Sequence, residues 1–317
     1  MTTSKIIFFG TTALAARVLN DLLKQSDIQV MAVVTKPDKQ KGRSLQMLPP
    51  PVKEAALLHN LPIHQPLKAS TPEFADLLKS YQADIFVVFA YGEILKKNII
   101  EIPRLGCLNV HPSLLPKYRG ADPIRRALMA GDAETGVCIM DMVLEMDAGD
   151  VYAMTKIPIP SNMTLGELED QIAPLASTSL LQVIRDLMAG EAHKTPQDPS
   201  QVTFAPKITL EEEKILFHRS ALELHNQIRA LSPAPGAWAL VDTGKEQKRL
   251  KILRAEVTPL QGSPGSNLAF SKKEWIVACG TEALRLLEIQ IEGKKAMKIE
   301  EFLRGAQHPF TFLNLSY

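Results

Sequence analysis

The segment from Gly106 to Gly120, GCLNVHPSLLPKYRG, places an amide and an imidazole two residues apart at Asn109 and His111. If residues 107–110 form a strand, period-two alternation puts both groups on one face, about 6–7 Å apart along the chain. Pro112 stops the strand directly after them. Such a pair at a strand's carboxyl end suits addition to a carbonyl: Asn109 donates to the developing oxyanion while His111 moves or supplies a proton. A lone histidine is more often a core side chain bonded to a backbone carbonyl. The second polar group beside it tips the reading toward chemistry.

A second cluster carries four acids, Asp141, Glu145, Asp147 and Asp150, around a turn at Gly149. A carboxylate reaching an imidazole fixes its tautomer and steadies the imidazolium. Spacing leaves all four acids open, and a solvated acidic loop is an equal alternative. A third segment, Lys36-Pro-Asp-Lys39-Gln-Lys41-Gly-Arg43, holds four basic residues and one acid ahead of three prolines at 49–51. Lys and Arg supply most nucleic-acid affinity, although charge alone more often marks a solvated loop. Phe9-Gly10-Thr11-Thr12-Ala13 has a single glycine where a dinucleotide fingerprint needs three. That argues against NAD or FAD and for a turn that caps a helix. Cys107 has no cation or helix start beside it and reads as a buried thiol.

The elements that must position these residues alternate in type over the first two hundred residues. Residues 6–9, 30–34 and 85–89 are β-branched or apolar runs, and residues 13–24, 52–59 and 74–80 carry helical patterns. This alternation predicts an α/β fold, a parallel sheet covered by helices, with ligands at the carboxyl ends of the strands. After a helix through residues 180–187, the stretch 189–201 (AGEAHKTPQDPSQ) is polar, with two prolines and a glycine, and reads as an interdomain linker. One helix near 220–231 follows, then short strands around 238–241, 250–255, 275–278 and 284–291, the pattern of a small β-barrel or sandwich.

The chain has 317 residues, 45% hydrophobic and 22% charged, which fits a folded chain of about two domains. Its formal charge of +1 excludes strong, indiscriminate polyanion binding. Residues 1–206 carry 20 basic and 22 acidic side chains, net −2, while residues 207–317 carry 16 and 13, net +3. The apolar runs are shorter than the roughly 18 residues of a membrane span. The amino terminus has no basic region and cleavage site of a secretion signal, so a cytoplasmic location is expected. Three scattered cysteines fit a reducing compartment, and without a Cys/His cluster no metal is expected.

Asn109-Val-His111-Pro-Ser-Leu-Leu-Pro116-x-Tyr-Arg-Gly120 resembles the signature of the 10-formyltetrahydrofolate-dependent formyltransferases, and Asp147-Ala-Gly-Asp resembles their downstream acidic turn. The basic loop ahead of Pro51-Val-Lys53, Phe89-Ala-Tyr-Gly-Glu-Ile-Leu95 and Gly293-Lys-Lys-Ala-Met297 resemble the branch of that family acting on methionyl-tRNA. Asp122 stands where the family has alanine, Thr12 and Leu14 replace its Pro and Phe, and Ser232-Pro-Ala-Pro235 replaces Asn-Pro-Trp-Pro.

The resemblance implies a Rossmann-like formyltransferase domain with a mostly parallel sheet over residues 1–190. A linker over 191–206 and a C-terminal OB-like β-barrel that binds tRNA over 207–317 would follow. It implies catalysis by Asn109, His111 and Asp147. Ser113, Leu114, Leu115 and Pro116 would contact the folate, with Phe89, Tyr91, Gly92, Ile94 and Leu95 beside them. Lys36, Lys39, Lys41 and Arg43 would contact tRNA. The expected reaction transfers the formyl group of 10-formyltetrahydrofolate, a co-substrate, to the α-amine of initiator Met-tRNA for translation initiation. No metal and no membrane partner are expected, and the active form is expected to be a monomer. Two other readings remain at this point: a folate-dependent formyltransferase acting on a nucleotide-linked amine, and a catalytically idle nucleic-acid-binding protein. The basic loop and the barrel count against a small acceptor, which needs neither.

Overall fold

The protein is described from a computed structural model covering residues 3–41, 46–306 and 308–313. Two compact units form: Met1–Pro123 with Thr135–Ile157 and Glu169–Ala205, and Ile124–Glu134 with Pro158–Leu168 and Pro206–Tyr317. In chain order the elements begin β1 (Ser4–Gly10), α1 (Ala13–Leu23), β2 (Ile28–Val34), β3 (Lys39–Lys41), β4 (Gln46–Leu48), α2 (Pro51–Leu58), β5 (Ile63–His64) and α3 (Pro72–Ser80). They continue with β6 (Ile85–Phe89), α4 (Lys97–Ile100), β7 (Cys107–His111), α5 (Pro123–Ala130), β8 (Glu134–Asp141), β9 (Val151–Pro158) and α6 (Leu165–Ala189). The remainder are α7 (Ala221–Ala230), β10 (Ala237–Asp242), β11 (Gln247–Thr258), β12 (Asn267–Phe270), β13 (Trp275–Ala278), β14 (Ala283–Ile291), β15 (Met297–Lys298), α8 (Ile299–Gly305) and β16 (Thr311–Phe312).

In the first unit the apolar runs become a seven-stranded sheet in the order β5-β2-β1-β6-β7-β8-β9. The pairs from β5 through β7 are parallel and β7 pairs with β8 antiparallel. Strand order reverses between β1 and β6, and at such a switch point the carboxyl ends splay apart to leave a ligand crevice. The sheet is Rossmann-like and mostly parallel, as expected. β6 is buried along its whole length, which is why it reads as a continuous apolar run. Phe9 packs at a tilt on Phe86 and T-shaped against Tyr91 in its core, with ring centroids 5.4 and 5.7 Å apart. The single-glycine turn does cap α1, because the Thr12 hydroxyl accepts from the Ala15 amide. Gly10 is required there: a Cβ would lie 2.7 Å from the Phe8 ring and 3.1 Å from the Phe89 carbonyl oxygen.

The basic loop is partly regular, since β3 and β4 form an antiparallel hairpin with Lys39 opposite Leu48. Of residues 191–206, expected as a linker, 191–205 lie within the first unit, where Thr195 bridges Val151 and Phe204 bridges Arg119. The helix expected near 180–187 is the end of the 25-residue α6, which carries Pro174 inside it.

The second unit is a nearly closed, barrel-like antiparallel sheet in the order β12-β13-β14-β11-β10-β16, with β15 beside β14. Its two ends are joined by a side chain, as Asn267 donates to the Phe310 carbonyl just before β16. Trp275 fills the core, stacked 5.5 Å from Phe302, with its indole N–H on Asn267. Among the described residues no helix is long and apolar enough to cross a membrane.

Candidate active site

β7 follows β6 in the sheet with Val88 opposite Asn109, so the chain leaving β6 at residues 90–95 runs beside the end of β7. Asn109 is half-buried and His111 buried, as the strand pattern predicts for a polar pair ending an apolar strand. Asp147 joins them. Its Oδ1 accepts from Asn109 Nδ2 at 3.2 Å, and its Oδ2 accepts from the Gly120 amide at 2.7 Å and lies 3.6 Å from His111 Nδ1. On the other side of the ring, His111 Nε2 donates to the Tyr118 carbonyl at 2.9 Å. A carbonyl only accepts, so this bond places a proton on Nε2 and leaves Nδ1 facing the carboxylate.

Three non-glycine residues near this pair hold left-handed backbone: Ala90 (φ 48°), Tyr118 (62°) and Asp147 (50°). Each such residue costs on the order of 1 kcal/mol and persists where its surroundings fix it. Gly149 makes the Asp147 turn possible, because a Cβ there would lie within 1.9 Å of the Asp141 carbonyl oxygen. The root of the acidic loop is held from both sides: Tyr152 donates to Asp141 at 2.8 Å, and Lys194 pairs with Asp141 and with Asp150. Hydrogen bonding to Asp141 raises the Lys194 ammonium above its ordinary value.

The other expected residues divide by exposure. Ser113 is fully buried and donates to the Lys117 carbonyl, while Leu115 packs with Cys138 and Met140. Leu114 lies over Gly136, and half-buried Pro116 accepts from the Thr203 amide. The side chains of Phe89, Tyr91 and Leu95 are core, whereas Gly92 and Ile94 are exposed, Ile94 by 81%. This leaves the 90–94 backbone and Ile94 open to a ligand. On the acidic loop Val143, Leu144 and Met146 are exposed, and Met142 packs against the cluster containing Tyr91 and Leu95. Open peptide groups beside apolar surface fit a flat heterocycle with polar edges.

Lys36 is committed within the unit, paired to Glu93 at 2.7 Å and 5.7 Å from the Tyr91 ring centroid. Lys39 is exposed on β3, Lys41 ends β3, and Arg43 lies outside the described residues. Cys107 is buried as expected; burial, then the Asp141 charge, push its thiol up, and burial pushes Cys138 up to about 11. Among the described residues no group of three or more His, Cys, Asp or Glu could hold a metal. The sequence reading missed Arg119, which is buried and bonded to Glu145 and Gln197, and Tyr118, although both lie inside the signature.

Residues 4–184 match the formyl transferase family model, and residues 207–307 match that of the formyl transferase C-terminal domain. The chain belongs to the formyl transferase family. It is 47% identical over 302 residues to a methionyl-tRNA formyltransferase of Protochlamydia amoebophila, covering 95% of each chain. It is 42% identical over 305 residues to the methionyl-tRNA formyltransferase of Chlamydia pneumoniae, again covering 95% of each. Among solved structures, HypX from Aquifex aeolicus in complex with tetrahydrofolic acid shares the fold with a TM-score of 0.61 at 18% identity. That match covers 95% of this chain and 47% of HypX.

Proposed function

We propose that the protein transfers the formyl group of 10-formyltetrahydrofolate to the α-amine of methionine on initiator Met-tRNA, giving the formylmethionyl-tRNA used to begin translation. The observation carrying this reading is Asp147 joining Asn109 and His111 at the end of β7. The formyl transferase family and relatives named methionyl-tRNA formyltransferases favour charged tRNA over a nucleotide-linked amine.

Free α-amines have pKa values of about 7.7–8.0, so a useful fraction is nucleophilic at neutral pH without a strong base. The amine nitrogen bonds to the formyl carbon as the carbonyl electron pair moves onto oxygen. Collapse breaks the bond to N10, which takes up the proton the amine loses. Asn109 gives one amide hydrogen to Asp147 and keeps a second for the oxyanion. His111 joins it by turning its Nε2–H from the Tyr118 carbonyl to the same oxygen, with the Asp147 carboxylate beside Nδ1.

Residues 113–116 shape the floor of the folate site through their buried bonds, and the backbone around 89–95 with Ile94 lines it. We assign transfer to the first unit, residues 191–205 included, and tRNA binding to the barrel at 207–317. Lys39, Lys41 and Arg43 contact the acceptor stem, and Lys36 fixes the hairpin base through Glu93. The test is incubation with 10-formyltetrahydrofolate and charged initiator Met-tRNA, or with a nucleotide-linked amino sugar. N-formylmethionine from the tRNA alone is expected. No formylated product beside a working control enzyme overturns the proposal, and product from the sugar alone selects the rival.

A further inference from the structure

We propose that residues 194–205 are a strap that sets the geometry of formyl transfer, with Gln197 and Thr203 as its positioning residues; this rests on the reading above. The composition of the segment suggests passive connection, and most of its residues are exposed. Its hydrogen bonds are directed elsewhere. Thr195 exchanges both backbone bonds with Val151 at 2.9 Å. Gln197 is half-buried and uses its complete amide inventory: Nε2 donates to the carbonyls of Asp147 and Gly149 at 2.8 Å each, and Oε1 accepts from Arg119 Nε and Nη2 at 3.1 and 2.9 Å. Thr203 Oγ1 accepts from the Tyr118 amide at 2.9 Å, its carbonyl accepts from the Arg119 amide, and its own amide donates to Pro116. Ala205 bonds the Arg119 carbonyl and accepts from the Asp122 amide, so close to Gly120 that a Cβ there would sit 2.8 Å from the Ala205 oxygen.

Asp147 and Tyr118 are the residues that face the two ring nitrogens of His111, and both hold left-handed backbone. Gln197 binds the peptide oxygen of the first and Thr203 the peptide nitrogen of the second. The strap therefore pins the two strained residues that orient the imidazole from opposite sides. A misplacement of about 1 Å at reacting groups costs on the order of 100-fold in rate.

Two substitutions separate positioning from packing. Gln197→Glu has the same shape and still accepts from Arg119, yet a carboxylate cannot donate to the two loop carbonyls. Thr203→Val keeps the shape and removes the acceptor for Tyr118, and Thr203→Ser restores it. In the full-length protein, Gln197→Glu and Thr203→Val are expected to lower kcat about 10- to 100-fold. KM values for Met-tRNA and 10-formyltetrahydrofolate stay within about twofold, and Thr203→Ser recovers most of the rate. Amide hydrogen exchange over residues 116–122 and 141–150 should accelerate about tenfold or more in the two damaging variants, a readout that needs no substrate. Either variant keeping more than half the wild-type turnover, or unchanged exchange in these loops, overturns the strap. Wild-type protein that fails to formylate Met-tRNA while its variants show the faster exchange overturns the assigned reaction and leaves the strap standing.

Discussion

Around Asn109 and His111, groups from residues 109–122, 141–150 and 195–205 are bonded to one another, and the positions that matter are fixed from at least two sides. The β3–β4 hairpin instead carries a ladder of three residue pairs and is tied to its unit at its base. There Lys36 meets Glu93, Lys53 meets Asp38, and Gln65 bonds both Asp38 and the Lys36 carbonyl. Lys39, Met47 and Leu48 point outward, the last two by 56% and 41%. A two-stranded hairpin alone is only marginally stable. The difference matches two demands: a tetrahedral oxyanion needs donors held in advance, whereas a large polyanion is met by long cationic side chains through charge.

The contrast breaks most visibly at Asn109. Losing one oxyanion donor costs about 100- to 1,000-fold in turnover, so Asn109→Ala should fall in that range while folate still binds, as measured by ligand titration. Gly149→Ala comes next. Its Cβ cannot fit beside the Asp141 oxygen, so the turn carrying Asp147 must shift. We expect turnover about 10- to 100-fold lower and a loss of about 1–3 kcal/mol seen as a lower Tm. In the basic segment, Arg43→Ala should raise KM for tRNA several-fold at unchanged kcat. It should also flatten the salt dependence of tRNA binding by about one unit of slope in a log–log plot.

The smallest effect lies in the second unit and should leave activity alone. Hydrogen bonds from Arg126 hold the Glu212 carboxyl down to about 2 from an ordinary 4.5. A carboxylate with a depressed folded value contributes stability that is present above about pH 4.5 and is lost as pH falls through 2. Glu212→Gln should therefore melt about 2–4 °C below wild type at pH 7, with the gap closing by pH 2, as read by thermal unfolding.

Parts of this contrast are legible in the sequence for definite reasons. Asn109, His111 and Pro112 declare a strand end because period two is a local rule. The choice of Asp147 among four acids is not local. It depends on a left-handed residue and on Gly149 lying against Asp141, so the spacing left it open and only the family resemblance pointed to it. The bonds made by residues 195–205 are not legible, because polar residues with prolines look alike whether their groups meet water or a loop 50 to 85 residues away. The strands β12, β15 and β16 were missed because two to four residues are too few to show a period, and β16 also pairs with β10, far back along the chain.

Single-turnover formyl transfer, with Met-tRNA titrated against wild type, Asn109→Ala and Arg43→Ala, tests the separation of chemistry from grip most directly. Asn109→Ala should lose about 100- to 1,000-fold in the saturating rate with an unchanged half-saturating tRNA concentration. Arg43→Ala should keep the rate and need more tRNA. An Asn109→Ala protein that retains more than half the wild-type rate would contradict the assignment of Asn109 as the oxyanion donor.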